Sequence, residues 1–263
     1  MSMLWLLILV FVLLCAGAAA GFFVSSRLPE RHRAPESMDV VQLAVGLLAT
    51  FAAIVLGLLT SSVSSGYETA YQTQAAFAGQ LAQLDRCLRD YGPETQATRA
   101  KLRTYVAAVI VSTWPSEPAP ADVAVPYTNM RRTGEEPILT NLIDEIGIET
   151  RSLEPTDRLR QSMAAACMGQ YDEMIKSRWA VIESVHGSIS TPFYWLLVAW
   201  LVILFASFGL RAPPNALNVI VIGLCAISIS TAVFVIVDLD HPYGSLFGIS
   251  SEAMRNTLVD MMR

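Results

Sequence analysis

The densest run of side chains able to do chemistry is Thr60, Ser61, Ser62, Ser64 and Ser65, at the end of an uncharged stretch over residues 40–65. In hydrocarbon a hydroxyl must find a partner, and two uses fit this run. It can line a water-filled path for ions, or it can hydrogen-bond and pack one helix against another. Both readings stay open on the residues alone. Ala49, Ala53, Gly57, Ser61 and Ser65 recur four apart, which stacks them along one helix, and small residues at that spacing let a second backbone come close. Ala49, Ala53, Gly57, Thr60, Ser61, Ser64 and Ser65 are therefore the pore-lining or helix-packing candidates.

Other reactive side chains point to less. Asp238 and Asp240 supply two carboxylates where calcium takes ~6–8 oxygens, so they are read as residues that flank and end a helix. His186 and His241 have no partner set and read as interfacial. Four cysteines fall in no CxxC, HExxH or finger-like spacing, and neither a metal nor a cofactor is expected. GxGxxG, GxxxxGK[ST] and GxSxG are also missing, so the chain is read as not an enzyme. A net charge of −5 gives no basic face for nucleic acid. No ionisable side chain falls inside an apolar stretch, whereas coupled transporters use such groups as relays. Passive conduction, or none, is what remains.

The elements that must position these residues are long apolar helices. Of the 263 residues 53% are hydrophobic and only 16% charged, and four stretches are almost free of charge. About 20 apolar residues suffice for a helix to cross a bilayer. Residues 4–24 form the first span: no positive side chain precedes them, unlike a signal peptide, and residues 16–21 are its close-packing segment. Residues 40–65 form the second. Ser190-Thr191-Pro192 opens a third, over 191–210, with Tyr194, Trp195 and Trp200 as interfacial rings. Residues 216–237 return after a tight Pro-Pro turn.

Between the two hairpins, residues 66–190 read as a helical extramembrane domain. Tyr67, Tyr71, Leu81, Leu84, Leu88 and Tyr91 continue the second helix as an amphipathic one, with Gly66 as a hinge and Gly92-Pro93 as the stop. A helix over about 94–113 ends at Trp114-Pro115. A Pro-rich segment with Arg131-Arg132, Glu135 and Glu136 follows. Then come a short helix over 138–148 and a longer one after Pro155 with Leu159, Met163, Cys167, Tyr171, Ile175 and Trp179 as its stripe. Residues 238–263 read as a tail with a short amphipathic helix carrying Met254, Leu258 and Met261. The fold class is all-α and integral to the membrane: residues 1–65 and 191–237 as hairpins of four transmembrane helices, with the insert between helices two and three.

At the tail the sequence becomes familiar. Asp240, Pro242, Tyr243 and Gly244, then Ile249-Ser250 and Arg255-Asn256-Thr257-Leu258, resemble the end of the bestrophin-like membrane proteins of the DUF4239 type. Tyr105…Trp114-Pro115 and the hairpin–insert–hairpin layout agree with that likeness. Bestrophins proper are pentameric anion channels whose second helix lines the pore and runs on beyond the membrane. The resemblance thus implies a passive homo-oligomeric channel for small ions, anions among them, in the lipid of a bacterial inner (plasma) membrane. The alternative is a non-conducting scaffold or signalling protein whose helical domain binds a partner.

Sidedness divides the arguments. Arg27, Arg31, Arg33 and Arg211 lie close to span ends on one side, which places the helical domain outside the cytoplasm; bestrophin likeness places it inside. Cys87 lies 22 residues beyond Ser65 and Cys167 24 before Thr191, so along helices they stand ~33 and ~36 Å from the spans. Antiparallel helices would bring them level, either as a disulfide, which persists in oxidising compartments, or as two buried thiols.

Overall fold

The computed structural model describes residues 3–27, 35–121, 123, 125, 137–184, 191–213 and 215–263. Arg31, Arg33, Arg131-Arg132, Glu135, Glu136, His186 and Ser190 lie outside the described residues. Among the described residues the structure is helical, with no strand: α1 (Met3–Arg27), α2 (Pro35–Tyr91), a 3₁₀ turn (Pro93–Thr95), α3 (Gln96–Thr113), α4 (Pro137–Arg151), α5 (Arg158–Ser184), α6 (Thr191–Arg211), α7 (Ala216–Leu239) and α8 (Glu252–Met262). α1, α2, α6 and α7 are each long and apolar enough to cross a bilayer. α2 is helical through Gly66. Gly92, with φ at +139°, ends it, in a conformation that side chains with a Cβ rarely adopt.

Two compact units form: residues 1–66 with 187–240, and residues 67–186 with 241–263. Residues 241–263 of the tail belong to the second unit. Met254, Leu258 and Met261 of α8 are buried in the core of the second unit, beside Leu81, Leu84 and Leu88 of α2 and Leu102, Tyr105 and Val106 of α3. An amphipathic helix of 11 residues is too short to stand alone in water, and burying its methionine–leucine stripe supplies what its backbone cannot.

The first unit is built on α1 and α6. Val10, Leu14 and Ala18 pack against Leu197, Val198, Leu201 and Phe205. The approach is closest where residues are smallest: a Cβ on Gly21 would strike the Ala206 carbonyl oxygen, one on Gly209 would strike that of Ala18, and one on Gly17 would lie 2.8 Å from that of Val202. This is the contact small residues permit between helices in lipid, and it falls in the 16–21 segment. α7 is capped by Asn215, whose side chain accepts a hydrogen bond from the Asn218 amide at 2.9 Å. Arg211 at the end of α6 donates to Gln42 of α2 at 3.2 Å.

Candidate functional site: the α2 face and the Trp114–Tyr243 junction

The structure divides the small-residue stripe of α2. Ala49 packs against the first unit's core, with Val45, Leu48, Val55, Leu56 and Leu59 as neighbours on that side of the helix. Ala53, Gly57, Thr60, Ser61, Ser64 and Ser65 are exposed. The reason is geometric: at 3.6 residues per turn, four residues overshoot a full turn by ~40°, so a strict four-residue repeat winds off its face. Ala52 and Val63 are the buried residues of the 40–65 stretch. Around Gly57 a Cβ would meet nothing within 4 Å, so within one chain this face is open. The Thr60 hydroxyl donates to the Leu56 carbonyl at 2.7 Å, back-bonding to its own helix and keeping its oxygen lone pairs available as acceptors.

The tail residues are brought together with the α3 end, inside the second unit. The Trp114 indole meets the Tyr243 ring edge to face at 5.8 Å, and its Nε1 donates to the Ile249 carbonyl at 2.6 Å. Pro242 offers its carbonyl to the Ile249 amide at 2.8 Å, closing a loop in which Gly244 takes φ +78°, a left-handed value that favours glycine. Burial pushes the Tyr243 phenol up to about 12, so it stays a neutral donor. Asp240 is the C-cap of α7, its amide donating to the Ile236 carbonyl at 3.1 Å. Asp238 is fully buried at the same helix end. Among the described residues no cluster of His, Cys, Asp and Glu is placed to hold a metal.

Ionic clasps tie the elements of this unit to one another. Arg99 of α3 makes a bidentate pair with Asp85 of α2, both bonds at 2.9 Å, and reaches the Met261 carbonyl of α8 at 3.4 Å. Glu117, just after α3, accepts from the Ser251 hydroxyl and amide and from Arg255, which also donates to the Pro118 carbonyl at 2.6 Å. Cys87 and Cys167 form a disulfide between α2 and α5, their Cα atoms 5.4 Å apart.

The middle of the α5 stripe is where the sequence reading puts it, with Cys167 and Tyr171 buried, but its ends are not: Leu159 is 70% exposed and Trp179 50% exposed, and Met174 and Arg178 are buried instead. The same ~40° drift per four-residue step explains it. Correcting for the drift, by taking a three-residue step from Tyr171 to Met174, leads straight to Arg178, a position that composition alone assigns to solvent.

A family model of the bestrophin-like domain matches residues 12–254. The chain belongs to the bestrophin-like family. Solved structures agree on the fold. A point variant of a bacterial bestrophin homologue from Klebsiella pneumoniae is 14% identical, with a TM-score of 0.67 over 97% of this chain and 98% of that one. A second structure, described as a membrane protein, is 16% identical with a TM-score of 0.67, covering 97% of each chain. Another variant of the Klebsiella pneumoniae homologue is 14% identical, with a TM-score of 0.64 over 99% of this chain and 98% of that one. No individually curated protein matches the chain.

Proposed function

We propose that this bestrophin-like protein is a passive channel for small anions, assembled as a homo-oligomer of four-span protomers arranged in two hairpins. The observation that carries this reading is the open face of α2. Ala53, Gly57, Thr60, Ser61, Ser64 and Ser65 are left uncovered by their own chain, on a helix long and apolar enough to span the bilayer. A ring of copies would cover Ala53 and Gly57 with a neighbouring helix and turn hydroxyls toward a common axis. Hydroxyl and backbone dipoles suit a permeating ion that keeps part of its water, and no proton relay is needed. Family membership agrees with conduction rather than catalysis.

The test is halide flux into liposomes holding the purified protein, with subunit number measured in detergent. Flux with four or more subunits is expected, and Ser61→Leu or Ser65→Leu should cut it while assembly persists, because an apolar ring gates by dewetting. A folded oligomer that passes no halide would sink the channel and leave a non-conducting scaffold, whose helical domain binds a partner.

We further infer that the second unit faces an oxidising, extracytoplasmic compartment of a bacterial inner membrane. Its support is the Cys87–Cys167 disulfide, since such bonds are rare in reducing cytoplasm, together with the basic residues Arg27 and Arg211 at span ends. An impermeant protease applied to intact cells should cut within residues 115–137; protection of that segment would reverse the orientation.

A further inference from the structure

The second unit holds a cavity of about 150 Å³ that the channel reading does not use. Its wall is mostly apolar, with Phe77, Leu139, Val181 and Met254 contributing, closed by the rings of Tyr105, Trp114 and Tyr243. One cation sits in this wall: Arg178 of α5, only 6% exposed. Among the described residues no carboxylate lies within ion-pair distance of it. Its partners are hydroxyls. Nη2 donates to Thr140 at 2.9 Å, the Tyr105 hydroxyl lies beside the guanidinium, and the Trp179 ring centroid is 5.5 Å away. A guanidinium carries five donors and a charge that cannot be released. Among the described residues this buried charge meets no anion, and natural cores rarely hold a guanidinium so.

We propose that this cavity is a binding site for a small organic monocarboxylate with an apolar body of roughly benzene size, its carboxylate on Arg178. Volume and charge select this class together. An apolar cavity of ~150 Å³ accommodates benzene, and a guanidinium fork matches the two oxygens of a carboxylate. Chloride satisfies the charge but leaves the apolar space empty. A neutral hydrocarbon fills the space but leaves the cation unpaired. The phenols of Tyr105 and Tyr243, both pushed up to about 12 by burial, stay protonated at neutral pH and add no negative charge that would repel the ligand. The site lies wholly within residues 67–186 and 241–263, and its occupation does not depend on conduction through α2.

The experiment is calorimetric titration of the purified full-length protein in detergent with sodium benzoate, sodium chloride and benzamide at matched ionic strength. Benzoate should bind with one-site stoichiometry and raise the thermal midpoint. Benzamide, of nearly the same shape without the charge, should bind at least about tenfold more weakly, as loss of a charge-assisted hydrogen bond implies. Chloride should not displace benzoate at equal concentration. Arg178→Met should abolish benzoate binding while keeping or improving that of benzamide. Arg178→Lys should retain weakened benzoate binding. The wild-type comparison of benzoate with benzamide stands even where a variant fails to fold. No benzoate binding, equal affinity for benzamide, equal competition by chloride, or undiminished benzoate binding by Arg178→Met would each overturn the assignment.

Discussion

Asp85 and Arg99 show how a charged residue earns a place inside a helical core. Their side chains are 4% and 14% exposed, and the pair is bidentate, so each charge is met by the other. Removing one partner strands the second in a poor solvent. Arg99→Ala should therefore lower unfolding free energy by roughly 3–5 kcal/mol, read from denaturant unfolding of the purified protein. The joint change Asp85→Leu with Arg99→Met should cost far less, because it strands no ion. Glu117 carries a pH signature. Burial alone would raise its pKa, but hydrogen bonds from Ser251 and Arg255 outweigh that and hold it below its ordinary 4.5. Glu149 follows the same balance, burial being outweighed by Lys101 and Thr98. A carboxylate with a depressed folded pKa stabilises fully above its unfolded value and loses that contribution as pH falls through the folded one. The melting midpoint should thus be level above about pH 5 and fall below about 4.5, with Glu117→Gln showing a shallower acid limb. A wild-type midpoint unchanged down to about pH 3 would contradict this account.

Helices carry two distinct uses of small residues. On α1 and α6, Gly17, Gly21 and Gly209 let backbones meet within the chain; on α2, Gly57 faces open space. The same change, glycine to leucine, made at each site separates the two roles. Gly21→Leu should prevent α1 from docking on α6 and abolish folded protein, since the added side chain has no room against the Ala206 carbonyl. Gly57→Leu should leave each protomer folded and shift gel filtration toward smaller particles. An unchanged oligomer in the Gly57 variant would exclude that face as a contact between subunits.

For the molecule as a whole, the staple between α2 and α5 closes a sequence separation of 80 residues. Crosslinks of that span typically contribute 2–4 kcal/mol by restricting the unfolded chain. Cys87→Ser with Cys167→Ser should lose stability of that order in urea or thermal unfolding. On gels, the wild type taken from cells with its thiols blocked should run faster before reduction than after it. Equal mobility before and after reduction would mean two free thiols.

The sequence by itself determined the apolar helices, the break at Gly92-Pro93, the stop at Trp114 and the α8 stripe, because each is written in local composition and periodicity. The bestrophin-like tail was legible for the same reason: Pro242, Tyr243 and Gly244 are a contiguous turn. Tertiary structure decided which face of each helix is buried. Residues four apart drift by ~40° per step, so the stripe assigned to α2 and the ends of the one assigned to α5 wandered off the faces that pack. It decided that Trp114 and Tyr243, over a hundred residues apart in the chain, share an aromatic contact of 5.8 Å. It also decided that Arg178 enters a core. No local signal separates a buried arginine from a solvated one, because its environment is made by α3, α4 and the tail arriving from elsewhere in the chain.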